Sequence, residues 1–600
     1  MPTYTAPVRD TQFVMNEVIN FQNYSNLPGF ADADVDTVNA VLEEGGKFVS
    51  EVLFPLNQVG DHHGCTRHED GSVTTPPGFK EAYDQFVKAG WGTLGAPAEY
   101  GGQGLPHTVA LAFEEFISAG NMAFGMYPGL THGAISAIHV KGSDEQKQTY
   151  LPKMISGEWT GTMNLTEPHC GTDLGLIRTK AIKNDDGSYR ITGQKIFISA
   201  GEHDMAGNII HLVLAKREGA PDSVKGISLF IVPKFILDEN GDPGERNGVK
   251  CGSIEEKMGI HGNATCVMNY DDATGYLVGE PEKGLAAMFI MMNVARLGVG
   301  IQGLGQGEVA YQNAVTYATE RRQGRALTGV ADEDAKADPI IVHPDVRRML
   351  MDARAFTEGA RALTLWAALQ IDLANNAQTE AEREEADEIV GLLTPVIKGY
   401  FTDKGLETAI NAQQVYGGHG YVTEWGMEQY VRDARIAQIY EGTNGIQAMD
   451  LVGRKLGRNG GKALMQFAAM VNDEIAAAKA DEKLKPLAEK LEKAGGELQA
   501  ATMWLMQNGM SNPNNAGAGA VPYMHLMGTI ALGLMWLKMA RAAQAKLSNG
   551  SAGDPFYEAK VITARYYMDR HLPNAGALRR QLEAGAESVM ALPEEAFARA

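Results

Sequence analysis

The hydrophobic period of the sequence changes twice, and this change constrains the fold more than any other feature. Residues 33–160 repeat apolar residues at three- and four-residue spacing, as in TVALAFEEFISAG, which is typical of amphipathic helices. Residues 161–280 instead contain short runs of β-branched and aromatic residues, such as YRITGQKIFIS and NIIHLVLAK. The helical period returns at residue 281 and continues to the end. The chain is therefore predicted to be an α+β protein.

The order of these segments predicts five regions. They are an N-terminal arm (1–32), an N-terminal helical domain (33–160), a middle antiparallel β domain (161–280), a four-helix bundle (281–456) and an additional C-terminal helical domain (457–600). We expect antiparallel strands because no long helix lies between them to provide a parallel crossover. Turn sequences are predicted at residues 184–187 and 239–242. Residues 509–522, GMSNPNNAGAGAVP, are predicted to form a loop between two Ala-rich helices.

Charge and composition narrow the class of protein. The formal net charge is −21, which disfavours binding to nucleic acid and to anionic membranes. The four cysteines form no Cys-x-x-Cys pair, so neither a zinc ribbon nor a disulfide framework is indicated. The N-terminus carries Asp10 and Glu17 and does not resemble a secretory signal. The longest apolar runs are far shorter than the roughly 20 residues of a membrane span. A cytoplasmic protein is the simplest interpretation, with a processed organellar enzyme as the alternative.

Two motifs point to chemistry that their context does not support. Residues 298–303 match the Gly-x-Gly-x-x-Gly dinucleotide pattern, and Glu320 lies near the expected acidic position. Both flanks are helical, however, so these glycines are better explained by close packing of helices. Asp61, His62, His63 and Cys65 are metal-capable residue types, but no second ligand cluster follows at a matching spacing. A solvated loop is favoured there, and no metal site is predicted.

Two other segments keep a functional and a structural interpretation open. Glu441 lies in RIAQIYEGTNGIQAM, next to Ile439 and Tyr440 and near Ile436 and Ile446. A carboxylate in apolar surroundings gains basicity, which suits a general base, although a lone glutamate is more often a solvated surface charge. The segment TEPHCGTD at residues 166–173 has the composition of a turn. Its hydroxyls and backbone donors could equally hold a polar cofactor ring and phosphate.

Taken together and in order, four strings resemble the signatures of the acyl-CoA dehydrogenase family. They are TEPHCGTD with GQKIFISAG, then YATERRQGR, then QVYGGHGYVTEWGMEQYVRDARIAQIYEGTNGIQ. The resemblance implies FAD-dependent dehydrogenation of an acyl-CoA substrate to a trans-2-enoyl-CoA, with Glu441 as the base that removes the α-proton. It also implies that the backbone N–H of Glu441 and a ribityl hydroxyl of FAD bind the thioester carbonyl. Electron-transferring flavoprotein is the implied electron acceptor, and a homodimer or a dimer of dimers the implied assembly.

The resemblance also assigns site residues one by one. Arg296 matches an arginine near the active site and is expected to position the substrate. The positions that match FAD contacts are Met163, Leu165, Thr166, Gly171, Thr172, Phe197, Ser199, Arg321, Gln323, Gln414, Gly417, Gly418 and Thr443. Of these, Arg321, Gln323, Gln414, Gly417 and Gly418 are expected to reach the cofactor of a partner subunit.

The chain departs from the family pattern at three places. Phe197 stands where tryptophan is usual, Gly445 stands where glutamine is common, and the segment Arg321 to Gly324 lacks the phenylalanine of the usual Arg-x-x-Phe-Gly. The resemblance therefore does not assign the contacts to the adenine end of FAD.

The chain also resembles a longer bacterial subgroup with an N-terminal arm and a C-terminal helical domain. Within that subgroup it is similar to enzymes that desaturate a sulfur-containing propionyl thioester, which is therefore the implied substrate. General short- or medium-chain acyl-CoA dehydrogenation, a flavin oxidase or monooxygenase, and a non-catalytic interaction protein are the alternatives.

Overall fold

The structure is a computed structural model that describes residues 2–598. The chain forms two compact units, one made of the residues up to Ala40 together with those from Val299 onward, the other of Val41–Gly298. The helices of the first half are α1 (Val8–Phe13), α2 (Val35–Phe48), α3 (Pro55–His63), α4 (Phe79–Lys88), α5 (His107–Gly120), α6 (Met122–Lys141) and α7 (Asp144–Ser156).

The strands follow, and a second set of helices completes the chain. The strands are β1 (Thr66–Arg67), β2 (Val73–Thr74), β3 (Trp159–Asn164), β4 (Lys180–Lys183), β5 (Tyr189–Ser199), β6 (Asn208–Arg217), β7 (Ile227–Pro233), β8 (Phe235–Leu237), β9 (Pro243–Arg246), β10 (Val249–Ile254) and β11 (Thr265–Val278). The later helices are α8 (Gly284–Glu320), α9 (Pro344–Asn376), α10 (Glu380–Val415), α11 (Met427–Ile436), α12 (Asn444–Asp450), α13 (Lys462–Lys479), α14 (Lys485–Asn508), α15 (Pro513–Ser548), α16 (Pro555–Arg570), α17 (Asn574–Glu583), α18 (Glu587–Met590) and α19 (Glu594–Phe597).

The central strands close into a ring. β11 pairs with β5, β5 with β4, β4 with β6, β6 with β7, and β7 pairs back onto β11. β3 and β10 extend this ring along β6 and β11. Along β6, Ile210 and Leu212 pack into a core shared with α6 and α7, whereas Val213 and Ala215 pack into a second core. Both faces of this strand are therefore buried, which explains its continuous apolar sequence.

The β domain is confirmed, but its strands are mixed rather than wholly antiparallel. β6 runs parallel to both β3 and β4. The prediction was wrong because it required a helix for each parallel crossover. Here the connection from β3 to β6 passes through β4 and β5, which belong to the same ring. The two predicted turns are confirmed, since they connect β4 to β5 and β8 to β9.

Glycines let the long helices of the helical unit approach closely. A Cβ on Gly303 of α8 would lie 2.6 Å from the carbonyl oxygen of Phe401, and one on Gly405 of α10 would lie 2.2 Å from the carbonyl oxygen of Gly303. Only glycine fits such a crossing of two backbones. The structural interpretation of the Gly-x-Gly-x-x-Gly pattern is thereby confirmed, because residues 298–303 lie inside α8.

The additional C-terminal region is helical, as predicted, but the loop predicted at residues 509–522 is too long. α14 ends at Asn508 and α15 begins at Pro513, so Pro522 lies within a helix. The new helix begins there because Asn512 accepts a hydrogen bond from the backbone N–H of Asn514 at 3.1 Å and Pro513 occupies the first turn, where no donor is required.

Among residues 2–598, two helices are long and apolar enough to span a membrane by length and composition alone. The apolar window of α8 is 56% buried and that of α15 is 83% buried within the protein. Core helices of soluble proteins pass the same test, so this property is weak evidence for a membrane span.

A buried ionic cluster joins the N-terminal arm to the helical unit. Asp10 of α1 accepts hydrogen bonds from Arg361 of α9 and Lys560 of α16. Arg361 also pairs with Glu308 at 2.9 Å, and Lys560 with Glu358 at 2.8 Å. Burial alone raises the pKa of Asp10, but the charges of Lys560 and Arg361 outweigh burial and hold the pKa below its usual value of 3.8.

We predict that Asp10→Asn lowers the free energy of unfolding of the helical unit by about 3–5 kcal/mol, because it leaves buried cations without their shared carboxylate. Since the pKa of Asp10 is depressed, its stabilisation is present at neutral pH and is lost as the pH falls through the acidic range. Urea unfolding at pH 7 and at a pH well below 3.8, the usual pKa of an aspartate, measures both effects. Glu407→Gln, which removes the exposed partner of Lys404 in the same unit, is the control. Equal losses in the two variants would contradict the prediction.

Candidate active site

Glu441 lies on a short loop between α11 and α12, here called the base loop (residues 437–443). Its backbone has a φ of 57°, in the left-handed region that residues other than glycine rarely adopt. Its side chain is half-buried. Such a conformation costs about 1–3 kcal/mol and persists only where the surrounding contacts enforce it.

Side chains of α10 and α12 donate hydrogen bonds to backbone carbonyl groups of the base loop. Lys398 of α10 donates a hydrogen bond to the carbonyl oxygen of Gly442 at 2.8 Å and another to Oδ1 of Asn444 at 2.9 Å. Gln447 of α12 donates to the carbonyl oxygen of Glu441 at 3.1 Å. The carbonyl groups of Glu441 itself and of Gly442 are therefore fixed by the buried side chains of Gln447 and Lys398.

The surroundings of Glu441 are only partly apolar. Ile439, two residues before Glu441, is 46% exposed. The exposure follows from the turn at residues 437–440, which directs this side chain outward. Tyr440 donates a hydrogen bond to Oε1 of Gln302. Burial, followed by the charge of Glu441, raises the pKa of Tyr440 well above its usual value, so the phenol stays protonated.

In the other unit, the segment from Met163 to Thr172 runs beside β5. Ile196 donates from its backbone N–H to the carbonyl oxygen of Thr166 at 2.9 Å. Buried Lys195 bonds both the carbonyl oxygen of Leu165 and the carboxylate of Glu167, each at 2.9 Å. Burial opposes ionisation of Glu167, but Lys195 and the donors from Thr179 and Arg178 lower its pKa. Leu165 and Thr166, two of the predicted contacts, are thus hydrogen-bonded to Lys195 and Ile196, the two residues before Phe197 on β5.

Phe197 is an exposed, strained aromatic residue. At this point β5 has two residues, Ile196 and Phe197, where β11 has only Val267, which makes a β-bulge. The φ of Phe197 is 58° and the residue is 60% exposed. A bulge re-aims a side chain, and strain retained at an exposed aromatic is a reason to suspect function. Gly171 and Thr172 are also exposed.

Gln414, Gly417 and Gly418 occur together at the end of α10, and all three are exposed. A Cβ on either glycine would have no protein atom within 4 Å, so this turn is open to a ligand. An aromatic cluster supports it: the rings of Tyr317 and Tyr416 stack at 4.0 Å, and those of His419 and Trp425 at 4.4 Å.

The arginine segment begins where α8 ends, one turn beyond this aromatic cluster. The backbone N–H of Arg321 donates to the carbonyl oxygen of Tyr317 at 2.8 Å. Both Arg321 and Gln323 are exposed. Asp338 orders the segment that follows by accepting from three backbone N–H groups and from Arg325 at 3.0 Å. These hydrogen bonds lower the pKa of Asp338. Thr443, on the base loop, is exposed as well.

Arg296 is buried in the first half of α8, where 7% of the residue is exposed. Two residues later, a Cβ on Gly298 would lie 2.7 Å from Oε1 of Glu114. Burial raises the pKa of Glu114 to about 7. Sequence reasoning did not single out Glu114, because nothing in its local pattern distinguishes it from neighbouring Glu115.

One group within the described residues has metal-ligand geometry: Glu167, His169 and Cys170 have their ligand atoms within 4.8 Å of one another. Both oxygens of Glu167 already accept hydrogen bonds, from Lys195, Thr179 and the backbone of Arg178. These contacts account for the position of its carboxylate without a metal ion.

Several residues around the base loop were also missed. Lys398, Asp403 and Asn444 contact the base loop or its flanks, but each reads as an ordinary helical residue in the sequence. Their role depends on contacts between residues some 35 to 46 positions apart. The position of Asn444, three residues beyond the candidate base, was the one feature of the sequence that could have drawn attention to these contacts.

Four family models match consecutive parts of the chain. They are described as Acyl-CoA dehydrogenase, N-terminal domain (residues 41–158), middle domain (162–273) and C-terminal domain (282–456), and as Acetyl-CoA dehydrogenase C-terminal like (467–593). They therefore account for most of the chain, including its last helical region.

Named relatives match along their whole length. 3-Methylmercaptopropionyl-CoA dehydrogenase of Ruegeria pomeroyi is 44% identical, covering 98% of this chain and 99% of the relative. Broad-specificity linear acyl-CoA dehydrogenase FadE5 of Mycobacterium tuberculosis is 36% identical over 100% of both chains. A butyryl-CoA dehydrogenase of Syntrophomonas wolfei is 34% identical over 99% of both.

Solved structures share the fold. Caenorhabditis elegans ACDH-11, in complex with C11-CoA, has a TM-score of 0.80 and 20% identity over 98% of this chain and 95% of that chain. A chain from a structure of the electron transferring flavoprotein of Acidaminococcus fermentans has a TM-score of 0.58 and 27% identity, covering 70% of this chain and 98% of that chain.

We predict that Phe197→Gly leaves the free energy of unfolding of the ligand-free protein unchanged or raises it by up to about 1 kcal/mol, because glycine relieves the left-handed strain and little apolar surface is lost. Arg190→Gly is the control at an exposed position of the same strand without positive φ. It should lower stability by about 0.5–1 kcal/mol. A larger loss in Phe197→Gly than in the control, by urea unfolding, would show that the strain inferred at Phe197 does not exist.

Proposed function

The chain belongs to the acyl-CoA dehydrogenase family, and from this premise we propose that Glu441 is the base that removes the C2 proton of the substrate. The protein is an oxidoreductase that dehydrogenates acyl-CoA thioesters in an FAD-dependent reaction. The observation that carries the assignment of the base is the strained, left-handed Glu441, whose adjacent carbonyl groups are fixed by Lys398 and Gln447. Strain of this kind clusters at active sites.

The residues present fit FAD. The exposed Phe197 offers an aromatic face, the backbone at Gly417 and Gly418 is open to close approach, and Arg321 is an exposed cation suited to phosphate. We propose that these residues, together with Met163, Leu165, Thr166, Gly171, Thr172, Ser199, Gln323, Gln414 and Thr443, hold the cofactor. When bound, FAD accepts the hydride from C3 of the thioester.

The task of the protein is to make the C2 proton removable. A thioester α-proton is weakly acidic, so the carbonyl oxygen must be stabilised as negative charge develops on it. We assign this role to the backbone N–H of Glu441, whose orientation is set by the left-handed φ and by the hydrogen bond on the carbonyl oxygen of the same residue. The carboxylate of Glu441 takes the proton, and Arg296 positions the substrate.

We predict that Glu441→Gln lowers kcat by about 10³-fold or more while FAD content and acyl-CoA binding are retained, because the amide keeps the shape of the side chain but cannot accept the proton. Turnover of butyryl-CoA with a dye acceptor, FAD absorbance and equilibrium binding of butyryl-CoA measure the three properties. Glu489→Gln removes an exposed carboxylate of α14 and serves as the control. Turnover near the wild-type rate in Glu441→Gln would remove Glu441 from the mechanism.

A flavin oxidase or monooxygenase on the same fold is the second candidate. The presence of Glu441 on its constrained loop favours removal of a C2 proton over oxygen insertion by a monooxygenase. An oxidase of the same thioester would need the same base and is distinguished by its electron acceptor. Loss of activity under strict exclusion of oxygen would instead support the oxidase.

We propose 3-methylmercaptopropionyl-CoA as the preferred substrate. The support is the 44% identity with a 3-methylmercaptopropionyl-CoA dehydrogenase over nearly the full length of both chains. Relatives named for linear acyl-CoA and butyryl-CoA are 36% and 34% identical, so general short- or medium-chain activity is the alternative.

Pentanoyl-CoA is the matched control for this proposal, because it has the same chain length with a methylene in place of sulfur. We predict that kcat/KM for 3-methylmercaptopropionyl-CoA exceeds that for pentanoyl-CoA by about 5-fold or more, within the range that a single group in a pocket can supply. Equal values for the two thioesters, or a higher value for pentanoyl-CoA, would show that the pocket selects length rather than sulfur.

We further propose a homodimer, or a dimer of dimers, of a cytoplasmic protein that passes electrons to an electron-transferring flavoprotein. The assembly is supported by Arg321, Gln414, Gly417 and Gly418, which are exposed on the helical unit as residues that contact a partner's cofactor need to be. The acceptor is supported by the 27% identity with a chain from an electron transferring flavoprotein structure.

A further inference from the structure

We propose that His525, in the additional C-terminal helical region, positions the catalytic base loop through Asp403. The proposal rests on the assignment of Glu441 as the base. It gives the last helices of the chain a part in catalysis, with His525 as a positioning residue that does not itself touch the substrate.

Three hydrogen bonds connect these residues. Nε2 of His525, on α15, lies 2.7 Å from Oδ2 of Asp403, on α10. The other oxygen of Asp403, Oδ1, accepts from Nε2 of Gln438 and from Nδ2 of Asn444, each at 2.7 Å. Gln438 and Asn444 lie three residues before and three residues after Glu441. One carboxylate oxygen thus ties together the two ends of the base loop, and the histidine holds the other oxygen.

Asn444 spreads this constraint further. Besides Asp403, its Nδ2 donates to the carbonyl oxygen of Gly399 at 3.0 Å, and its Oδ1 accepts from Lys398 at 2.9 Å. Lys398 in turn holds the carbonyl oxygen of Gly442, the residue after the base. The geometry of the base loop therefore depends on where the carboxylate of Asp403 points.

Close packing of α15 on α10 fixes the position of His525. A Cβ on Gly399 would lie 2.3 Å from Sδ of Met524, and one on Gly528 would lie 2.4 Å from Cγ of Tyr400. The ring of His525 lies edge-on to that of Tyr400, with centroids 5.4 Å apart. Gly528 in particular allows this approach, because a Cβ there would meet the ring of Tyr400, and the packing of α15 on α10 places His525 at Asp403.

His525 helps to keep the partly buried carboxylate of Asp403 ionised. Burial opposes its ionisation, and the hydrogen bond and charge of His525, with the hydrogen bonds from Asn444 and Gln438, hold its pKa below the usual value. The side chains of Asp403 and His525 are 24% and 22% exposed. Without the histidine, Oδ2 would turn toward water, and the two hydrogen bonds on Oδ1 would lose their alignment.

The test is single-turnover reduction of the FAD-loaded enzyme by saturating butyryl-CoA, without oxygen. We expect His525→Leu to slow flavin reduction by about 10-fold or more, since small misplacement of a reacting group is costly, while KM for butyryl-CoA, measured separately in steady-state turnover, stays within about 2-fold. His525→Gln, whose amide can donate from a similar position, should restore most of the rate. A C2-deuterated substrate should show a larger isotope effect in the slow variant, because proton removal limits it.

Trp536→Phe is the matched control, since Trp536 also joins α15 to the bundle, through a 2.8 Å hydrogen bond to the carbonyl oxygen of Ala355 on α9. It should lower the melting temperature without slowing flavin reduction. A wild-type rate in His525→Leu, or a rate in His525→Gln as slow as in His525→Leu, would overturn the proposal. Either result would leave the assignment of Glu441 intact, provided that Glu441→Gln is inactive. An active Glu441→Gln would instead refute the assignment of the base.

Discussion

The left-handed backbone of Glu441 is the constraint on which the proposed chemistry depends, and the packing of the helical unit maintains it. A glutamate does not adopt a φ of 57° without enforcement, and the enforcement comes from outside its own loop. Lys398 on α10 and Gln447 on α12 fix the carbonyl groups of Gly442 and of Glu441 itself, and Asp403 holds Gln438 and Asn444 near the two ends of the loop. In the proposed mechanism, the packing of the long helices is therefore part of the chemistry, because it holds the loop that carries the carboxylate and the N–H of Glu441.

Glycine positions make this packing possible. Gly303 and Gly405 bring α8 against α10, and Gly399 and Gly528 bring α10 against α15. The buried cluster around Asp10 then joins the N-terminal arm and α16 to α8 and α9. A cluster of this kind contributes little net stability compared with apolar packing, but it is costly to break and selects one arrangement of its elements.

The sequence predicted what is local and missed what is long-range. The turns at residues 184–187 and 239–242 follow from the preferences of Asn, Asp and Gly, and they were predicted where they occur. The closure of β11 onto β7, and the parallel pairing of β6, depend on strands far apart in the chain. Pro522 was misread as a loop residue because helix propensity is weaker than the packing of α15.

The same contrast between local and long-range features applies to the candidate site. Glu441 and the FAD contacts were predicted from motifs that resemble a family, and they remain predictions for this chain. Lys398, Asp403 and His525 could not be found this way, since each acts through a partner between 35 and 122 residues away. A strained φ at Phe197 or Glu441 has no sequence signature at all, because any side chain can be forced into it by its neighbours.

The most direct test of the central claim is a crystal structure of the FAD-loaded enzyme with a bound acyl-CoA. The account predicts a carboxylate oxygen of Glu441 about 3–3.5 Å from C2 of the thioester, the distance of a reacting pair. A structure in which that carboxylate points away from C2 and another base occupies this distance would contradict it.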